Sequence, residues 1–177
     1  MTRHDLEHII RASADIADDQ EIIVVGSQSI LGQFPHAPKE LLVSVEADVY
    51  PRNHPERWEL IDGSIGELSP FHRTFGYYAQ GVEPGTAVLP EEWESRLVVL
   101  ANQNTRGARG LCLEVHDLAI SKYVARRDKD REFLQTAIRY RLLAKATLHE
   151  RLLVTPVSEE RRALIRQWID GDFLAVA

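Results

Sequence analysis

The sequence predicts an α/β (α+β) fold, with one mixed β-sheet, flanking helices and a helical carboxyl-terminal part. Apolar strand-like runs, such as residues 21–25 and 111–115, are separated by segments whose apolar residues have helical spacing. From His116 onward the helical period continues through most of the chain. Alternating strands and helices are typical of one α/β core. We expect this core in residues 1–130 and a helical extension, packed on the same domain, in residues 131–177.

The first half of the chain carries clear signals for individual elements. Residues 2–17 have the pattern of an amphipathic helix that begins with a capping box at Thr2 and Asp5. A buried strand is predicted at 21–25, and Gly26-Ser27 then opens a short helix. The next predictions are a strand from Leu41 to Tyr50, ended by Pro51, and a helix over 55–63, closed by Gly63.

The second half begins with an aromatic segment. Its aromatic residues and glycines, between Phe71 and Gly81, predict a strand or hairpin at the edge of a cleft. Strands are also predicted at 96–100 and 111–115, with a loop of mobile composition between them. Helices are predicted from His116, over the apolar stripe 133–142, and from Ser158.

Composition limits the classes of function. The 177 residues are 44% hydrophobic and 27% charged, as in ordinary globular proteins. A formal charge of −6 argues against nucleic-acid binding by broad charge neutralisation, although basic residues concentrated in 122–145 allow a local basic site. The single cysteine, Cys112, excludes an internal disulfide. Since the sequence has no apolar leader and no run of membrane-spanning length, we expect a cytoplasmic protein that does not contact a membrane.

Two short stretches carry the candidate chemistry. Gly26-Ser27 follows a strand, where a glycine lets the backbone approach a phosphate and the serine hydroxyl and helix amides act as donors. Glu46 and Asp48 are two positions apart on a predicted strand, so both carboxylates point to one face, where they would suit Mg²⁺. An ordinary strand-to-helix turn and an exposed strand face are the alternatives. The ordered combination of the two stretches favours a site for a nucleoside triphosphate and its metal.

These residues resemble the DNA polymerase beta-like nucleotidyltransferase superfamily, whose small members carry hG[GS] followed by [ST]-x-[DE]-h-[DE]-h. The matching positions are Gly26, Ser27, Ser44, Glu46 and Asp48. The segment 116–130, HDLAISKYVARRDKD, is similar to the (E)DL-x-x-x-K-x-x-A-x-R-x-K-D helix of bacterial minimal nucleotidyltransferases, a branch that includes abortive-infection toxins and domain-of-unknown-function relatives.

The resemblance implies a role for each matched residue. Glu46 and Asp48 would bind Mg²⁺ (or Mn²⁺), and the triphosphate would lie at Gly26-Ser27 with Ser44 nearby. The downstream segment would provide catalytic, phosphate or acceptor contacts and an acid that orients them: Lys122, Arg127, Lys129 and Asp130. Independently of the resemblance, Lys122, Arg126 and Lys129 share one face if their helix is unbroken. The alternative for these basic residues is a solvated charged face.

The sequence departs from the superfamily pattern at three places. Glu46 stands where Asp is usual, and the arginine that often precedes the Ser/Thr is absent, with only Lys39 nearby. No third acid is obvious, although Glu114 is a candidate with Glu94 behind it. A missing third acid would weaken deprotonation of the attacking hydroxyl, or would mark an inactive relative.

His72 lies outside the superfamily motif, within the aromatic segment. The aromatic rings of this segment could stack a base, with His72 or Arg73 at a phosphate. The alternative is that Phe71, Phe75 and Tyr77 belong to a half-buried strand. The seven histidines show no HExxH motif or close pair, so a zinc site is not expected.

We therefore predict a metal-dependent nucleotidyltransferase that moves a nucleoside monophosphate from an NTP to a hydroxyl. The acceptor would be an RNA, a protein or a small molecule, and the resemblance favours a toxin-antitoxin or defence setting with a cognate toxin or antitoxin protein as partner. The alternative is an inactive module of the same fold that binds a nucleotide or a protein, such as an antitoxin-like subunit.

Overall fold

A mixed five-stranded sheet organises the first of two compact units in this computed structural model, which describes residues 1–176. The strands are β1 Glu21–Val25, β2 Glu46–Pro51, β3 Tyr78–Gly81, β4 Val98–Leu100 and β5 Arg109–Cys112. Their order is β3-β2-β1-β5-β4. β1 runs parallel to β5 and β2 parallel to β3, whereas the pairs β1–β2 and β4–β5 are antiparallel. The predicted mixed sheet is confirmed.

The first unit comprises Met1–Ala87 and Leu97–Glu114. Its helices are α1 Arg3–Ala17, α2 Ile30–Gln33, α3 Trp58–Ile65 and α4 Pro70–Phe75. The predicted capping box opens α1, since Thr2 and Asp5 each accept the other's backbone N–H. α1 lies directly on β5, because a Cβ at Gly110 would come within 2.3 Å of the Ile10 side chain.

β2 is shorter than the predicted strand, which was expected to begin at Leu41. Val25, the last residue of β1, pairs with Asp48, and the chain then bends away at Gly26. Residues before Glu46 therefore have no β1 partner along which to extend the ladder. Instead, the amino terminus of Met1 donates to the carbonyl oxygens of residues 42 and 44.

Two further predictions in this unit were wrong in detail. Gly63 lies inside α3, which follows a 3-10 turn at Pro55–Arg57 and ends at Ile65 with Gly66 as its carboxyl cap. The aromatic segment, predicted as a strand or hairpin, forms α4 before β3 begins. Ser69 caps α4 by accepting the N–H of His72, and Pro70 occupies the first helical turn, where a missing donor has no effect.

The second unit comprises Val88–Arg96 and the chain from Val115 onward. Its helices are α5 Val115–Ala125, α6 Asp128–Arg139, α7 Lys145–Leu153 and α8 Glu159–Val176, so the predicted helical carboxyl-terminal part is confirmed. Asp117, fully buried on α5, forms ion pairs with Arg96 and Arg151 and thereby links the 88–96 segment to α7. In residues 1–176, no helix has both the length and the apolar character needed to cross a bilayer.

Candidate functional site

The turn after β1 brings the two predicted stretches together. Gly26 has a positive φ of 68° with ψ −171°, a conformation that is essentially restricted to glycine. A Cβ at Gly26 would lie 2.0 Å from Oδ2 of Asp48. The Asp48 carboxylate therefore packs directly against the Gly26 backbone. Ser27 begins the 3-10 helix that follows, and Ser29 Oγ closes the turn by donating to the Gly26 carbonyl oxygen at 2.8 Å.

Both acids of the second stretch lie on the same face of β2. Along this strand Glu46 and Asp48 are half-buried, whereas Ala47 and Val49 are fully buried on the opposite face. The alternation predicted from their spacing is therefore present. Asp48 is also the direct cross-strand partner of Val25, one residue before the glycine.

The Glu46 carboxylate has a partner that sequence reasoning missed. The hydroxyl of Tyr78, the register partner of Glu46 on β3, donates to Oε2 of Glu46 at 2.9 Å. Burial, the hydrogen bond to Glu46 and the Glu46 charge all raise the pKa of Tyr78, so the phenol stays protonated and acts as a donor. No local sequence signal identifies this contact, because it depends on which strand lies beside β2.

His72 supports this pair from α4. Its ring centroid lies 4.6 Å from that of Tyr78, at an interplanar angle of 47°. The backbone N–H of Leu68 donates to Nδ1 of His72 at 3.1 Å, which holds the imidazole in place. Phe71, Phe75 and Tyr77 do not form a half-buried strand. They cluster with His8, and the Phe75 side chain is 48% exposed.

Ser44 precedes β2, and its side-chain hydroxyl contacts the backbone of Glu46. Its hydroxyl accepts the Glu46 N–H at 3.1 Å and lies 3.3 Å from the Glu46 carbonyl oxygen. This local turn gives the Glu46 N–H an acceptor at a position beyond the end of the β1–β2 register. Ser44 thus fixes the backbone at the first acid.

The topology places these groups at one end of the sheet. β1 ends at this edge and the antiparallel β2 begins there, together with β3, which runs parallel to β2. β5 runs parallel to β1, so its carboxyl end lies at the same edge, and Glu114 follows β5 by two residues. Glu114 belongs to the first unit, whereas Glu94 belongs to the second.

A divalent cation at this site would need oxygen ligands, which the carboxylates of Glu46 and Asp48 can provide. Within the described residues no group of three or more His, Cys, Asp and Glu side chains is arranged to hold a metal ion. Mg²⁺ bound with a nucleotide needs fewer protein ligands, because it keeps several waters and takes one or two carboxylates together with substrate phosphates. Two carboxylates on one face of β2, next to a glycine turn, fit that requirement.

The matched basic residues lie in the second unit. Lys122 on α5 is only 5% exposed, and its Nζ forms a 3.1 Å ion pair with the fully buried Asp130. Arg127 donates to the same carboxylate from Nε at 2.7 Å. Burial alone would raise the pKa of Asp130, but the hydrogen bonds and charges of Arg127 and Lys122 outweigh it and lower the pKa. Asp130 thus orients both basic groups, while Lys129 is exposed.

Lys122, Arg126 and Lys129 would share one face only on an unbroken helix, and the helix is broken between them. Arg126 adopts a left-handed φ of 53° and ends α5, after which α6 begins at Asp128. Arg126 instead pairs with Asp172 and lies over the rings of Tyr123 and Trp168. The helical register assumed from the spacing does not continue through this break.

The predicted site residues thus form two groups. Gly26, Ser27, Ser44, Glu46, Asp48 and His72 lie in the first unit, and Lys122, Arg127, Lys129 and Asp130 lie in the second. Within the first group, Asp48 contacts the Gly26 backbone, Ser44 bonds the Glu46 backbone, and His72 reaches Glu46 through Tyr78. Within the second, Asp130 joins Lys122 and Arg127.

Comparison with known protein families identifies a match over most of the chain. Residues 4–168 match a family model described as a nucleotidyltransferase of unknown function (DUF6036). This range includes every residue of both groups. No curated protein and no solved structure matches the chain significantly.

Proposed function

Because the chain belongs to this family of nucleotidyltransferases of unknown function, we propose that it transfers a nucleoside monophosphate from an NTP to a hydroxyl, with Glu46 and Asp48 as the acids that hold Mg²⁺ or Mn²⁺. The observation that carries the proposal is the contact between the Asp48 carboxylate and the Gly26 backbone, because it joins the two stretches in one place. The bound ion supplies charge neutralisation at the phosphates.

The turn residues would bind the triphosphate. Ser27 and the amides that follow Gly26 are donors at the start of a short helical segment, and the missing side chain of Gly26 lets the Asp48 carboxylate lie beside them. Because the site itself is acidic, Glu46 and Asp48 would hold a cation whose charge offsets that of the triphosphate. Lys122, Arg127 and Lys129 are proposed to contact phosphates or the acceptor, with Asp130 orienting the first two.

The proposed reaction is a displacement at the α-phosphorus. The acceptor oxygen forms a bond to this phosphorus, the bond to the oxygen bridging to the β-phosphate breaks, and pyrophosphate leaves. We assign removal of the hydroxyl proton to Glu114, which lies at the same end of the sheet as Gly26. Positioning and electrostatic stabilisation would supply most of the acceleration.

A labelled-NTP assay tests this function. Protein, Mg²⁺ and each of the four α-³²P-labelled NTPs are incubated with total RNA or cell lysate, and label transferred to macromolecules or released with small products is measured. Glu46→Gln and Asp48→Asn should each abolish transfer while leaving the fold intact. The matched control is Glu59→Gln on the exposed surface of α3, which should retain transfer.

A binding module is the second candidate. It is favoured by the departure of this sequence from the superfamily pattern at the first acid, where Glu46 stands in place of the usual Asp. This alternative predicts NTP binding without turnover under every acceptor condition, and it allows a cognate toxin or antitoxin protein as the partner. Label transfer that depends on both Glu46 and Asp48 would exclude it. The acceptor, whether RNA, protein or small molecule, would be identified by the labelled product.

A further inference from the structure

Glu46 is a more flexible ligand than Asp48. A glutamate has one more rotatable bond than an aspartate, and freezing it in one conformation opposes binding by the lost rotamer entropy. Asp48 is held by its close packing against the Gly26 backbone. The Glu46 carboxylate is met instead by a side chain from the neighbouring strand β3.

Tyr78 is placed to hold it. The two residues are register partners on the parallel strands β2 and β3, so their side chains leave the sheet on the same face. Tyr78 is only 6% exposed, and its hydroxyl donates to Oε2 of Glu46 at 2.9 Å. A hydrogen bond from a buried hydroxyl to a carboxylate is stronger than one between neutral groups. It restricts the position of Oε2 and so reduces the number of conformations open to the Glu46 side chain.

Tyr78 is itself held in one orientation. Its ring packs against His72, whose Nδ1 accepts the Leu68 N–H. His72 in turn lies in α4, which begins at the Ser69 cap. The hydroxyl is therefore presented by an ordered strand and an ordered helix rather than by a loop.

We propose that Tyr78 is a positioning residue that orients the Glu46 carboxylate for a divalent cation, with His72 supporting the Tyr78 ring. This inference rests on the proposed function, since it concerns the same acids. Tyr78 does not touch the substrate in this proposal. It acts through Glu46, and it makes a glutamate serve as a preorganised ligand.

Metal affinity provides the direct test. Water-proton relaxation enhancement measures Mn²⁺ bound to the protein in the presence of each α,β-methylene nucleoside triphosphate in turn. Removing a hydrogen bond to a ligating carboxylate typically weakens metal affinity by about 10–100-fold, so we expect a loss of roughly this size for Tyr78→Phe. The matched control is Tyr77→Phe, which removes a neighbouring hydroxyl bonded to His8 and should leave the Mn²⁺ affinity unchanged.

A double-mutant cycle shows whether Tyr78 acts through Glu46. In a Glu46→Gln background, Tyr78→Phe should cause no further loss of Mn²⁺ affinity, because the interaction it serves is already gone. If Tyr78→Phe lowers the Mn²⁺ affinity by the same factor in the wild-type and in the Glu46→Gln protein, the positioning role is overturned. Thermal melts of all variants separate this role from a purely structural one, which would lower the Tm without changing the metal affinity.

The possible failures are distinguishable. Wild-type affinity in Tyr78→Phe would overturn the positioning role and leave the proposed function standing. Absence of Mn²⁺–nucleotide binding by the wild-type protein would overturn both. If Tyr78→Phe does not fold, Glu46→Asp decides the matter: its shorter side chain withdraws the carboxylate from the Tyr78 hydroxyl and should weaken Mn²⁺ by about tenfold or more. Unchanged affinity in Glu46→Asp would refute the proposal.

Discussion

Replacement of Gly26 by alanine should damage both the stability of the protein and its candidate site. The new Cβ would stand 2.0 Å from Asp48 Oδ2 and 2.9 Å from its Cγ, distances that van der Waals radii do not permit. The Asp48 carboxylate or the turn must therefore move. In addition, the φ of 68° with ψ of −171° disfavours every residue that has a side chain.

The loss of stability in Gly26→Ala can be worked out from the steric overlap and the backbone conformation. A backbone held in this region disfavours alanine by roughly 1–3 kcal/mol. Overpacking in a filled space adds about 1–3 kcal/mol. A total destabilisation of roughly 4 kcal/mol corresponds to a fall in Tm of 8–16 °C for a chain of this size class.

Calorimetry and Mn²⁺–nucleotide binding together form the assay. Gly26→Ala should lower the Tm by this amount and abolish binding, because Asp48 is displaced. Gly63→Ala is the control: Gly63 lies on exposed α3 with nothing within 4 Å of its added Cβ, so the change should stabilise the helix by about 0.5–1 kcal/mol. A Gly26→Ala protein with wild-type Tm and binding would refute the contact between the two stretches.

Three further predictions concern buried groups. Asp130→Asn leaves Lys122 buried with a neutral partner and should destabilise the protein by about 3–5 kcal/mol in urea unfolding, whereas Asp128→Asn, at a 99% exposed side chain, should have little effect. Burial opposes ionisation of Asp19, but hydrogen bonds from residues 21, 53 and 54 outweigh it and lower its pKa, so the stability it contributes is present above about pH 4 and is lost as pH falls further. Asp19→Asn should therefore be less stable at neutral pH and lose less stability on acidification. Full burial raises the pKa of Cys112 to about 12, so the native thiol should resist a disulfide reagent at neutral pH and react once denaturant is added.

Local patterns were sufficient for the parts of the fold that depend on neighbouring residues. The cap of α1, the apolar run of β1 and the alternation of Glu46 and Asp48 along β2 all depend on residues within a few positions of one another. The glycine turn after β1 was also readable, because a strand followed by Gly-Ser has few alternatives. These signals predicted the two stretches that the structure brings into contact at Gly26 and Asp48.

The spacing of the aromatic residues gave a wrong prediction because it fits both a strand and a helix. Phe71 and Phe75 satisfy strand alternation through residue 73, but they are also four apart and share a helix face. The Ser69-Pro70 start and the left-handed Gly76 stop decide for the helix. These capping signals were present in the sequence and carry more information here than the spacing of the aromatic rings.

Longer-range features could not be read from the sequence. The Tyr78–Glu46 hydrogen bond exists only because β3 lies beside β2 in register, 32 residues later in the chain. Similarly, the left-handed Arg126 breaks a stretch whose composition favours a helix, and its side chain is drawn to Asp172 on α8. In both places tertiary partners determine the outcome.

The contrast between a local pattern and a tertiary partner also applies to Lys122. A motif match identifies Lys122 as a basic residue at the expected position, but its 5% exposure and its pairing with Asp130 give the same residue a role in stability. Loss of activity in a Lys122 variant would therefore not distinguish catalysis from unfolding, because removing one partner of a buried pair is itself strongly destabilising. Glu46 and Asp48 are only half-buried, so isosteric changes there leave no such buried charge. They, rather than the lysine, are the positions at which chemistry and folding can be separated.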